Sequence, residues 1–154
     1  MAQLDENLLD EMSKDFATVL FRYRPEWRTF AKMDKAEGET EFWLDVNAPS
    51  PTGEVLLVTT EGDEVTVAFG GHHQHFTWSS DPDERSEDPI GFIDAIVTEK
   101  IYAASARDSS RGHGAWPMRP GESLPRADYA LGGATDISAR SWLGTYDLDE
   151  KLGQ

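Results

Sequence analysis

The stretch from Thr40 to Trp78 constrains this chain most. Three β-patterned runs follow one another there across breaks too short to hold a helix: TEFWLDV at Thr40–Val46, VLLVTT at Val55–Thr60 and VTVAF from Val65. Neighbouring strands joined in parallel need a crossover of a dozen residues or more. The breaks NAPSPTG and EGDE are shorter than that. The first carries two prolines and a glycine, and the second reads as a hairpin turn around Gly62. These strands are therefore expected to pair antiparallel. In the first of them Phe42, Leu44 and Val46 fall on one face and Trp43 on the other. The third run continues through FGGHHQHFTW, so one strand is expected over residues 65–78.

Helical periodicity appears twice. Leu4, Leu8, Met12, Phe16, Val19 and Tyr23 recur every three or four residues, with Leu9 and Leu20 widening the stripe, and predict a helix over 4–23. Pro25 ends it by disfavouring helical backbone at Arg24. Asp88-Pro89 is a good helix start, an N-cap followed by proline at the first position. Ile90, Ile93, Ile96 and Val97 then predict a helix over 89–100. Loose alternation in Trp27–Met33 suggests a strand, and further strands are expected over 101–106 and 137–146. SSDPDERSEDP at 79–89 reads as a loop. Residues 107–136 read as an irregular excursion, with room for one more strand around Ala115–Met118. The expected fold is α+β: one domain over 1–154, a mainly antiparallel sheet with two amphipathic helices packed on one face. A chain of 154 residues can bury roughly 70% of the surface exposed when unfolded.

Charge narrows the function. The net charge is −15, with 29 acidic and 14 basic residues. Residues 1–99 hold 22 acids and 7 bases, and residues 100–154 hold 7 of each, so the whole excess lies in the first two thirds. Such a surface repels nucleic acid and anionic membranes and steers a basic protein toward it. No apolar run reaches the about 18 residues of a membrane span. The N-terminus MAQLDENLLDEM lacks the pattern of a signal peptide. Cysteine is absent, which removes disulfides, thiolate nucleophiles and thiolate zinc sites together. The expected location is cytoplasmic.

Three of the four histidines are His72, His73 and His75. Strand alternation puts His73 and His75 on one face and His72 on the other. A pair at i and i+2 can chelate a metal, but a zinc site needs a third protein ligand, and nothing in the spacing brings His113, Asp81 or Asp83 near. A bulge at Gly70-Gly71 would reverse the facing. The expectation is a strand end with no bound metal, His73 and His75 being the ligands if there is one. A metal-binding protein or metal-dependent enzyme built on His72–His75 is the alternative reading. No Ser lies in a G-x-S-x-G elbow. Sequence proximity of Ser79 or Ser109, His113 and Asp108 does not make a triad. No catalytic residue and no cofactor is expected. Binding residues fit the pattern better. The acids of TEGDE and DPDERSED nominate Glu61, Asp63, Glu64, Asp81, Asp83 and Glu84 as contacts for a basic partner. Within 107–136, Arg111 and Trp116 are of types enriched at protein interfaces.

Taken together, VTVAFGGHHQHFTW, DPIGFIDAIVTEKIYAA and SARSWLGTYD resemble small acidic immunity-type proteins encoded beside bacterial polymorphic toxins. The resemblance covers the middle and C-terminal two thirds. It implies a binder that blocks a cognate toxin domain, such as a nuclease, and carries no catalytic residues with it.

Overall fold

The computed structural model describes residues 1–36, 38–85 and 88–153. The fold is α+β with two antiparallel sheets, of six and four strands. The strands are β1 (Ala2–Gln3), β2 (Ala31–Ala36), β3 (Glu39–Asn47), β4 (Val55–Glu61), β5 (Glu64–Phe69), β6 (His72–Thr77), β7 (Tyr102–Arg107), β8 (Gly112–Met118), β9 (Asp136–Arg140) and β10 (Leu148–Lys151). The α-helices are α1 (Glu11–Tyr23), α2 (Pro89–Val97) and α3 (Arg126–Leu131). The larger sheet runs in chain order from β1 to β6, and the smaller is ordered β10-β9-β7-β8. Contacts divide the chain into two compact units. The first comprises Met1–Val46, Leu56–Ala68 and His73–Ile93, and the second Asn47–Val55, Phe69–His72 and Asp94–Gln154.

In the first unit α1 lies on the sheet. Its buried residues are Ser13, Phe16, Ala17, Leu20 and Phe21, an i, i+3, i+4 stripe. Phe16 and Phe21 meet Phe42 of β3 edge-on, at 5.9 and 5.8 Å between ring centroids. The expected helix over 4–23 is corrected at its start. Asp10 is the N-cap, its carboxylate accepting from the Ser13 N–H at 2.8 Å. Upstream of it the chain forms β1 and a single 3-10 turn at Glu6–Leu8, capped by Asp5. Leu8 is left exposed and Leu9 is buried. The strand expected over Trp27–Met33 is also corrected. Pro25 opens a 3-10 turn, Pro25–Phe30, that buries Trp27, and β2 begins only at Ala31.

The single strand expected over 65–78 is two strands. Gly70 and Gly71 both have positive φ, +59° and +87°, as a type I′ hairpin turn requires at both central positions. The chain reverses there, so β6 returns beside β5 instead of extending it. The loop expected at 79–89 contains a 3-10 turn at Pro82–Glu84; residues 86 and 87 lie outside the described residues. Asp88 caps α2 through the Ile90 N–H at 3.0 Å. The helix expected to reach 100 stops at Val97, and Glu99 takes a left-handed conformation, φ +55°.

In the second unit the excursion expected over 107–136 is ordered: a hairpin into β8, then α3. Trp116 of β8 stacks on Tyr129 of α3 at 4.4 Å with the rings 7° from parallel. Ala104 and Ala139 pack with Tyr102 and Met118 in one buried cluster, and Ala106 and Ala134 with Ile137 and Leu152 in another. The strand expected over 137–146 ends at Arg140. A turn follows, closed by the Asp147 carboxylate accepting from the Ser141 N–H at 2.8 Å, and β10 comes after it. Arg140 joins β9 to β10 through the Leu148 carbonyl, at 3.0 Å, and the Asp149 carboxylate, at 2.7 Å.

Candidate functional site

The first unit carries 19 acidic and 7 basic residues by sequence, −12, and the second 10 and 7, −3. Within the first, the acids concentrate where β4 turns into β5. Gly62 takes φ +59°, which allows a two-residue turn that sets Glu61 directly opposite Glu64. Asp63, the other turn residue, accepts from the Trp78 N–H through its backbone carbonyl at 2.7 Å. That bond ties the segment after β6 to the hairpin turn. Trp78 is itself fixed on three sides. Its indole N–H donates to Asp15 at 2.8 Å, Phe16 packs on it edge-on at 5.1 Å, and the Arg85 guanidinium covers its ring at 3.6 Å. Asp81 then caps the short turn holding Asp83 and Glu84, and Glu84 accepts from Ser79 Oγ at 3.0 Å. The structure thus joins the two acidic segments nominated from sequence through one backbone hydrogen bond.

Four more acids were not nominated. Glu41 of β3 lies directly opposite Asp34 of β2. Its carboxyl is pushed above the usual range, first by burial and then by the negative charges of Glu61, Asp10, Asp34 and Glu39. Asp10 is placed there by α1 and by its own N–H, which donates to the Thr40 carbonyl at 3.0 Å. Among the described residues, no Lys or Arg forms an ion pair with Glu41, Glu61, Asp63, Glu64, Asp81, Asp83 or Glu84. The one basic side chain in the segment after β6, Arg85, is committed to Trp78 and to the Ser79 carbonyl at 2.7 Å.

On β6, His73 and His75 share the exposed face, with ring centroids 5.0 Å apart, while Phe76 points into the core. His72 falls on the same side as Phe76. His75 Nδ1 lies 2.7 Å from the Glu64 carboxylate and 2.9 Å from the Thr66 hydroxyl of β5. Among the described residues, no three His, Cys, Asp or Glu side chains group to hold a metal. What the histidines form is a cross-strand polar pairing with an acid of the hairpin.

Arg111 and Trp116 belong to the second unit and are described apart. Arg111 lies in the β7–β8 turn, exposed, with its guanidinium 3.9 Å from Asp108. Trp116 is partly buried, stacked on Tyr129 and donating to Met118 Sδ at 2.8 Å, so its ring serves the unit's own packing. The same hairpin holds a pair that sequence proximity alone did not assign. His113 Nε2 lies 2.6 Å from the Asp108 carboxylate. A bulge makes His113 the extra residue, since Ala106 pairs with Gly114 and Arg107 with Gly112. Bulges re-aim side chains in this way. Here the imidazole turns in until its side chain is only 9% exposed. Asp108 is held well below the usual carboxylate range, first by His113 and then by hydrogen bonds from Ser110 and Arg111.

The chain matches no protein-family model, no curated protein and no solved structure. Among the described residues, no helix is long and apolar enough to cross a membrane.

Proposed function

We propose that this chain is an acidic binding protein of the immunity type. On this reading it acts in the cytoplasm and neutralises a basic protein partner, a toxin domain such as a nuclease, through the acidic surface of its first unit. The observation that carries the reading is Glu41. Its carboxyl is pushed upward first by burial and then by four neighbouring acids, and no Lys or Arg pairs with it among the described residues. Like charges set directly opposite on neighbouring strands weaken a sheet. The described registers of this sheet include two such pairs, Asp34 with Glu41 and Glu61 with Glu64. A surface kept at a cost to folding is consistent with use in binding. A cationic partner would relieve the repulsion on docking, and the field would speed its approach.

The test starts from the neighbouring reading frames of the source genome. The basic domain encoded there is purified and its association with this chain followed by stopped flow across a salt series. Association should slow steeply as salt rises, and the toxic activity should be blocked at one-to-one stoichiometry. A salt-independent association rate would overturn the reading.

A further inference from the structure

We propose that the groove along the β7–β8 hairpin of the second unit is an oxyanion-binding site whose ligand is a phosphate group. The inference is independent of the acidic surface and of its partner. The groove is lined by residues that include Ser105, Arg107, Ser109, Arg111, Gly112 and Gly114. Two arginines therefore line one concavity in a strongly acidic chain.

Neither arginine is used up by the fold. Among the described residues, the Arg107 side chain makes no hydrogen bond and no ion pair; its charge is felt by Asp136 and Asp149 only at longer range. Arg111 is 73% exposed, and its one ion-pair contact is the 3.9 Å approach to Asp108. Asp108 also lines the groove, yet its acceptor capacity is spent inward. One oxygen takes the Ser110 N–H at 2.7 Å, the Ser110 hydroxyl at 2.7 Å and the Arg111 N–H at 2.9 Å, and the other meets His113 Nε2 at 2.6 Å. The carboxylate thus builds the loop that presents the arginines. The hydroxyls of Ser105 and Ser109 make no hydrogen bond among the described residues and supply further donors. Gly112 leaves the wall open, since a Cβ there would meet nothing within 4 Å, so a ligand can approach the backbone. A guanidinium fork fits carboxylate and phosphate alike, but two arginines with hydroxyls beside them offer more donors and more positive charge than one carboxylate can use, and a phosphate, with more oxygens and a higher charge, can use them.

The test is a ¹H–¹⁵N titration of the full chain with inorganic phosphate, ionic strength held constant with chloride. Saturable shifts confined to residues 105–115 are expected. Combining Arg107→Gln with Arg111→Gln should weaken binding by at least about tenfold. Both side chains are exposed, so the variant keeps its fold, and unchanged spectra elsewhere verify this. Phosphoserine run in parallel separates the sources: tighter binding than inorganic phosphate supports a phosphate carried on a larger molecule, and weaker binding supports the free ion. Linear, unsaturable shifts, full binding by the double variant, or acetate binding as tightly as phosphate would each overturn the proposal.

Discussion

Asp34 and Glu41 stand directly opposite each other on β2 and β3, two carboxylates in one cross-strand pair. Burial and the surrounding acids raise the Glu41 pKa. A carboxyl whose folded-state pKa is raised favours folding when protonated, and that advantage is lost as pH rises through the folded value. Glu41→Gln should therefore stabilise the chain at neutral pH by roughly 0.2–1 kcal/mol, the scale of a cross-strand pair. The gain should shrink in acid, where the wild-type carboxyl is already neutral, and shrink in high salt. Urea melts of both proteins across pH and salt check this; equal midpoints at neutral pH and low salt would contradict it.

Charge reversal at the hairpin turn should act on the rate of meeting a partner. Glu61→Lys removes one of the acids acting on Glu41 at an exposed residue, so it should leave the fold intact. On the proposed function, association with the basic partner should slow by up to about tenfold at low salt, with a smaller change in dissociation. Stopped-flow rates for wild type and variant separate the two.

A buried hydroxyl relay joins α1 to the sheet. The Phe42 N–H donates to Thr60 Oγ1 at 2.9 Å, Thr60 and Ser13 hydroxyls lie 2.5 Å apart, and Ser13 Oγ donates to Asp10 at 2.7 Å. With each oxygen's acceptor role assigned, Thr60 is the donor to Ser13. Ser13→Ala strands the Thr60 hydroxyl in the core and should cost about 1–3 kcal/mol. Thr18→Ala, on the exposed side of the same helix, should change stability by no more than about 0.5 kcal/mol. Denaturant midpoints of the two variants test the contrast.

Gly70 and Gly62 ask for different things. Both have φ +59°, so an added Cβ at either should cost roughly 1–2 kcal/mol for the left-handed backbone. At Gly62 that Cβ meets nothing within 4 Å, whereas at Gly70 it falls 2.7 Å from Ala103 Cβ. Gly70→Ala should therefore be clearly the worse of the two in thermal melts, and Ala103→Gly in the same chain should recover part of the difference.

Much of this was written in local pattern. The alternation of Phe42, Leu44 and Val46 and the break at Gly62 announce β3, β4 and the acidic hairpin, and with it Glu61, Asp63 and Glu64. What pattern could not supply was chain direction and partner. Gly70-Gly71 is compatible with a bulge or a reversal, and only the sign of both φ values decides. The apolar run before Glu11 suits a longer helix, but Asp10 takes the cap because its side chain reaches the Ser13 N–H. Glu41 joins the acidic surface through a register with Asp34 and a helix start at Asp10, neither of which is local. The hairpin after β7 looked irregular because Asp108 closes it with side-chain bonds, which leave no hydrophobic period to read.

The division of the chain has a topological consequence. Its path changes from one compact unit to the other five times, at residues 46–47, 55–56, 68–69, 72–73 and 93–94. No single cut releases either unit as an intact fragment. A truncation at 93 keeps every acid of the candidate surface, yet carries two short pieces, 47–55 and 69–72, stripped of the remainder of their own unit. Recombination at one breakpoint therefore cannot move the acidic surface into another protein with its own unit whole and free of pieces of the other, and the inheritance of each unit is tied to segments of its neighbour.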